Sequence, residues 1–265
     1  MQQGVPELDT SVSHSARIWN YWLGGKDNYP VDRAAGKGIL EVFPEIADIA
    51  RETRAVLRRF ITHLAVEAGV RQFLDIGTGL PTQNNTHEVA QALAPESRIV
   101  YVDNDPLVLA HARALLVGTA EGATDYVHAD VRDPEHILDR ASATLDLREP
   151  VAVTMLGVLP FVGDDAEAQD IIARLMAALP SGSHLGIVHS TSAVTGEGMI
   201  EAVRRWNKAG SAVYNLRTPE RITGLFAGLE ILDPGVVPCP RWRPDPADIG
   251  TARDMDEFCG LARKS

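Results

Sequence analysis

The chain has 265 residues with 45% hydrophobic and 23% charged side chains, and carries a formal net charge of −11. That length can bury a sizeable core in one domain or two, and the composition is that of an ordinary globular protein. The acidic balance argues against a general nucleic-acid or anionic-membrane surface, and no apolar run reaches the roughly 18 residues a bilayer span needs.

Residues 1–12 read as a loose polar terminus rather than a secretory signal. Cys239 and Cys259 are far apart in sequence and suggest neither a disulfide framework nor a metal cluster. Two reduced thiols fit a cytoplasmic protein. Ser13 to Leu23 then carries Ile18, Trp19, Trp22 and Leu23 at near-helical spacing, ended by Gly24-Gly25-Lys26-Asp27-Asn28-Tyr29-Pro30. This block is either a helix packed on the core behind a glycine cap or a lid that binds ligand. Val31–Phe43 is expected to be helical. Glu45–Ala68 should form a longer helix, with Ile46, Ile49, Val56, Leu57, Phe60, Ile61 and Leu64 on its apolar face. Arg51, Arg54, Arg58 and Arg59 read as its solvated face. Residues 1–70 thus form a helical extension ahead of a core over 71–265.

From Phe73 the pattern alternates. Strand 72–76 leads to helix 84–93, strand 98–103 to helix 105–117, and strand 125–128 to helix 134–140. Val151–Leu156 is an almost continuous apolar run, as expected of a central parallel strand. Helix 165–178, strand 184–189, and helices 199–208 and 218–226 follow. Residues 230–232 and 236–237 suggest a closing hairpin around Pro234-Gly235. The tail from Arg241 reads as loop with a last short helix near 254–262. Alternating β and α units imply one doubly wound, mostly parallel α/β sheet.

In such sheets ligands bind at the carboxyl ends of strands. Three successive strands here end in an acid: Asp75, Asp103 and Asp130. Asp75 opens the turn Asp75-Ile76-Gly77-Thr78-Gly79. Its glycines permit positive φ and remove Cβ atoms that would block a ligand. A dinucleotide fingerprint would need a third glycine where Thr82 stands. A carboxylate at Asp103 can accept from both hydroxyls of a ribose. His189, at the end of the fifth strand, is a candidate base, weighed against a structural histidine. No His/Cys/Asp spacing suggests a metal site.

The glycine turn resembles the first motif of class I S-adenosylmethionine-dependent methyltransferases. Ala16-Arg17-Ile18-Trp19-Asn20-Tyr21-Trp22-Leu23-Gly24-Gly25-Lys26-Asp27-Asn28-Tyr29 resembles, more narrowly, the opening signature of a family of actinobacterial S-adenosylmethionine methyltransferase-like proteins. Phe73–Thr82, Val100–Pro106, Asp233–Val237 and Trp242-Arg243-Pro244 are similar to its later blocks. The resemblance covers nearly the whole chain. It implies a Rossmann-like, seven-stranded class I fold and S-adenosyl-L-methionine as cofactor. It also implies roles. Asp75 orders the turn or meets the methionine amino group through water. Gly77 and Gly79 admit the cofactor, Asp103 holds its ribose, and Asn104, Asp130 and Val131 meet its adenine. Tyr21, Gly25, Asn28 and Tyr29 are expected to line the cofactor or acceptor site.

The loop after the fourth strand, Leu156-Gly157-Val158-Leu159-Pro160-Phe161, lacks the Asn/Asp-Pro-Pro-Tyr of amine and nucleobase methylases. The expected function is methyl transfer to a small-molecule acceptor, with no nucleic-acid, membrane or metal partner. A regulator that binds adenosylmethionine without transfer is the alternative. An NAD-dependent oxidoreductase is a third reading, against which the absent third glycine weighs.

Overall fold

In the computed structural model the described residues are 9–82, 84–115, 118–209, 212–250 and 253–265. Residues 1–8 of the expected loose terminus and 116–117 of the expected helix 105–117 lie outside them. The chain opens with α1 (Ser15–Trp22), α2 (Pro30–Leu40) and α3 (Ile46–Val66). It continues as β1 (Gln72–Ile76), α4 (Thr86–Leu93), β2 (Arg98–Asp103), α5 (Pro106–Leu115), β3 (Ala123–His128), α6 (Pro134–Ala141) and β4 (Ala152–Leu156). Then come α7 (Asp165–Ala177), β5 (His184–Ser190), α8 (Glu197–Lys208), α9 (Pro219–Gly224), β6 (Glu230–Ile231), β7 (Val237–Pro238) and β8 (Glu257–Arg263).

Among the described residues one sheet holds 8 strands in the order β3-β2-β1-β4-β5-β8-β6, with β7 also paired to β8. The run from β3 to β5 is parallel, and β8 is antiparallel to β5, β6 and β7. Strand order reverses between β1 and β4, which opens a crevice at their carboxyl ends.

Successive strand residues serve opposite faces. Leu74, Val100, Val153 and Ile187 pack with Ile137, Ile171 and Leu175 from α6 and α7. Phe73, Ile99, Ala152 and Val188 pack with Val56, Leu57, Phe60, Ile61 and Leu64, so α3 covers the other face. A third cluster joins Ile18 and Trp22 of α1, Ile39 of α2, and Met199 and Trp206 of α8. The N-terminal helices therefore meet α8 above the carboxyl edge of the sheet.

Four expectations change. The expected helix 254–262 is strand β8. Its backbone pairs with β5 from His184↔Arg263 to Ser190↔Glu257, and Cys259, Leu261 and Ala262 are fully buried. Without it the N–H and C=O groups along one side of β5 would lose their partners, so sheet pairing outweighs the local pattern. The expected hairpin also dissolves: β6 pairs with Ala262 and Arg263, and β7 with Phe258 and Cys259. The seven-stranded count thereby becomes eight, with the antiparallel strand supplied by the tail. Finally, the arginines of α3 are not one solvated face. Arg59 is buried, donating to Glu52 at 2.6 Å and to the Cys239 carbonyl at 2.8 Å, while Arg54 faces the crevice.

The two cysteines, distant in sequence, are both free and buried. Burial and a hydrogen bond with Cys259 push the Cys239 thiol well up from its ordinary value. Among the described residues no helix is long and apolar enough to cross a membrane. Nor do any three His, Cys, Asp or Glu side chains among them cluster to hold a metal ion.

Candidate active site

The carboxyl ends of β1, β2 and β4 border a cavity of about 460 Å³, roofed by α1 and flanked by α3. Its floor is the glycine turn. After Ile76 the backbone N–H groups of Gly77 and Thr78 donate to the Val102 carbonyl at 2.8 and 3.2 Å. Gly77 has φ +77, and a Cβ there would stand 2.5 Å from Cβ of Val158. Close approach of the β4 loop thus requires glycine. Gly79 (φ +66) and Gly157 (φ +83) are different: a Cβ on either would meet nothing within 4 Å. Both border the cavity, so the missing side chains leave room for a ligand against the backbone.

Asp103 closes β2 beside this turn. Its Oδ2 accepts from the Gly79 N–H at 2.8 Å and its Oδ1 from the Asp105 N–H at 2.9 Å. Each oxygen retains a lone pair, and the residue is 8% exposed. Burial raises its carboxyl above the ordinary value, against the two backbone hydrogen bonds that favour the anion. A ligand that donates hydrogen bonds to this carboxylate would relieve that desolvation.

Asp75 lies deeper. Thr86 donates to its Oδ2 at 2.6 Å and Thr154 to its Oδ1 at 2.9 Å, and burial raises its carboxyl. Those bonds tie the glycine turn to α4 and β4, so Asp75 orders the turn. Arg54 adds positive charge on this side. Its guanidinium donates to the Asn84 carbonyl at 3.0 Å, and its own acidity is increased by burial and opposed by Asp75. Asn104, Asp130 and Val131 border the far end. Val131 is buried, and Asp130 accepts from the Arg132 N–H at 2.9 Å.

The roof comes from the aromatic block. Ser15, Ala16, Trp19 and Asn20 of α1, with Leu23 behind them, border the cavity together with Phe161 and Val213. Phe161 stacks edge-on against Tyr214 at 5.2 Å between ring centroids. A buried charge network pins α1 to the end of β2. Asp32 accepts from the His14 N–H at 2.9 Å and from the Tyr29 N–H at 2.8 Å, which caps α2. Arg17 spans Asp32 (3.9 Å) and Asp105 (3.4 Å), and His14 Nδ1 lies 3.0 Å from Asp105.

The sequence expectations divide cleanly by place. Asp75, Gly77, Gly79, Asp103, Asn104, Asp130 and Val131 all border the one cavity. Tyr21, Gly25, Asn28, Tyr29 and His189 are not among its lining residues. Tyr21 packs against Gly36, where a Cβ would meet its ring at 2.7 Å. Tyr29 stands under the Arg17 guanidinium, 5.7 Å from ring centroid to Cζ. Gly25 and Asn28 lie against the side chain of Asn20. His189 is fully buried, with Nδ1 2.8 Å from the Ser190 carbonyl and Nε2 2.7 Å from Arg217. Burial lowers it to about 3, so it is a neutral acceptor for Arg217 and not a free base.

Sequence reasoning missed His14, Arg17, Asn20 and Arg54. A hydrophilic residue inside the aromatic run, next to Trp19 and one helical turn after Ala16, was the available signal for Asn20. Arg54 carried none, since three neighbouring arginines on the same helix masked it.

Comparison with solved structures finds a DUF574 family protein from Streptomyces avermitilis at 43% identity and TM-score 0.94, covering 98% of this chain and 100% of that one. A candidate methyltransferase from Thermobifida fusca matches at 37% identity and TM-score 0.90, over 100% of both chains. The plantazolicin methyltransferase BpumL, solved with S-adenosylhomocysteine, shares the fold at 10% identity and TM-score 0.56, over 94% of this chain and 95% of that one. Comparison with curated proteins finds no match. The model of the S-adenosyl methyltransferase family matches residues 1–265. With the whole chain matched and a 43% identical relative along its length, the chain belongs to the S-adenosyl methyltransferase family.

Proposed function

We propose that this methyltransferase alkylates a small-molecule acceptor held between the cofactor and the aromatic roof of its cavity. One observation carries the reading. A single cavity joins the Gly79–Asp103 cradle to the walls of Trp19 and Phe161. Such a space suits a compact ligand buried on most sides.

The residues fit the cofactor. Gly79 and Gly157 leave open backbone where a Cβ would intrude. Asp103 accepts from the ribose hydroxyls, Val131 packs on adenine, and Asn104 and Asp130 meet the adenine edge. Arg54 pairs with the methionine carboxylate, beside the Asp75-ordered turn. Bound adenosylmethionine supplies a methyl group already activated by its sulfonium. The protein's work is then to align the acceptor, exclude water and close the space. Residues 1–70 provide that closure through α1, and Trp19 and Phe161 hold the acceptor in place.

The test is turnover. Wild-type enzyme is incubated with adenosylmethionine and a panel of hydroxylated and thiol metabolites, and adenosylhomocysteine release is read. Acceptor-dependent release, reduced in Trp19→Ala and Phe161→Ala with cofactor affinity kept, supports the reading. Release only with a protein or peptide acceptor would contradict the small-molecule assignment.

A further inference from the structure

The aromatic block contains a polar side chain held in one orientation. Asn20 borders the cavity and is 3% exposed. Its Oδ1 accepts from the Asp27 N–H at 3.0 Å and from Nδ2 of Asn28 at 2.8 Å. Both partners are donors, so they fix the oxygen and leave the amino group turned away from them. Among the described residues Nδ2 has no acceptor.

The surrounding chain is built to hold this arrangement. A Cβ on Gly25 would stand 2.3 Å from Nδ2 and 2.5 Å from Oδ1, so only glycine lets the loop close on the amide. Asn28 is itself fixed, donating to the Gly25 carbonyl at 3.0 Å and accepting from Arg33 at 3.0 Å. A donor on the cavity wall with no protein partner is left to a ligand or water.

The position along α1 says which part of a ligand it meets. Ala16, one turn before Asn20, packs on Leu80 and Val108. Arg17 and His14 reach Asp105, two residues beyond Asp103. Asp27, bonded to Asn20, faces His111 of α5 at 3.7 Å. Leu80 apart, which follows the glycine turn after β1, these contacts go to α5 and the residues that join it to β2, next to Asp103. Trp19, by contrast, stacks on Trp22, which reaches Trp206 of α8.

We infer that Asn20 Nδ2 donates a hydrogen bond to a ribose oxygen of the bound cofactor, with Gly25, Asp27 and Asn28 holding it there. The inference rests on the cofactor pose given above, with the ribose at Asp103. It accounts for Gly25 and Asn28, which support the amide without bordering the cavity.

Asn20→Asp isolates the contact. The carboxylate keeps an oxygen for Asp27 and Asn28 and loses only the donor. The probes are S-adenosylhomocysteine and 5′-methylthioadenosine, which lacks the amino-acid half. Neither carries net charge near neutral pH, so the new carboxylate exerts little long-range effect on them. Calorimetry should show both binding about tenfold more weakly or worse, with the melting temperature of the ligand-free protein kept. Unchanged affinity for methylthioadenosine overturns the inference, whether or not adenosylhomocysteine is affected. If Asn20→Asp does not fold, Gly25→Ala reads the same contact by displacing the amide. Weaker binding of both probes then supports it, and unchanged binding overturns it. Failure of the wild-type protein to bind either probe would instead remove the cofactor pose, and the inference with it.

Discussion

The backbone N–H of Gly79 donates to Oδ2 of Asp103 at 2.8 Å, joining the turn after β1 to the acid that ends β2. This bond holds the carboxylate at the rim of the cavity while leaving lone pairs on both oxygens. It also makes the two motifs one unit, since a shift of the turn moves the acid.

Asp103→Ala should therefore weaken adenosylhomocysteine binding by about ten- to a hundredfold. Hydrogen bonds to a charged group contribute roughly 1.5–3 kcal/mol, and two hydroxyls share this carboxylate. Calorimetry on the folded variant checks it, and Asp103→Asn should recover part of the loss.

Gly157→Val should abolish cofactor binding and lower the melting temperature. Gly157 has φ +83 and borders the cavity, so a branched side chain would enter the ligand space. The left-handed backbone adds a cost of roughly 1–2 kcal/mol for an L residue, more when it is β-branched. Binding and thermal melts of the variant separate the two effects.

Arg17→Gln should destabilise the fold by about 3–5 kcal/mol, an amount usual when one partner of a buried ion pair is removed. Arg17 is 4% exposed, and both acids it faces, Asp32 and Asp105, are fully buried. Urea titration reads the loss. Because the pair ties α1 to the end of β2, cofactor affinity should fall with it.

Much of this was legible in the chain because strand ends and glycine turns are local features. Asp75, Gly77, Gly79 and Asp103 are read from a few adjacent residues whose spacing already encodes a strand and its turn. The tail was not legible in the same way. Glu257–Arg263 becomes a strand because β5 offers it an unpaired edge, a partner more than sixty positions away. The aromatic block was legible as special but not in detail. Tyr21, Gly25, Asn28 and Tyr29 looked like the ligand contacts, yet Gly25 and Asn28 pack behind Asn20, Tyr29 under Arg17 and Tyr21 against Gly36. Which side of a short helix faces a cavity depends on what the other side meets, here Asp32, Asp105 and α8. For the same reason the sequence alone left His189 open between a base and a structural histidine. Its place at a strand end is local, but Arg217, which occupies its Nε2, arrives from far along the chain.

Stability should fall as pH rises from mildly acidic to alkaline, through Glu257. Burial first, then Asp256, pushes this carboxyl from 4.5 up to about 8, against the hydrogen bond from Ser190. Between those values the folded protein keeps a proton that the unfolded chain has released. The resulting stability is fully present below the lower value and is lost as pH rises through the upper one. The slope approaches about −1.4 kcal/mol per pH unit. Urea melts of wild type and Glu257→Gln across this range check it. The variant should lose the slope and exceed wild type in stability above about pH 8.

The central claim is that the cavity under α1 is the adenosylmethionine site. A crystal structure of the protein grown with S-adenosylhomocysteine tests it most directly. The account predicts ribose hydroxyls on Asp103, adenine against Val131, and the methionine carboxylate toward Arg54. The ligand bound elsewhere, or in this cavity with its ribose away from Asp103, would contradict it.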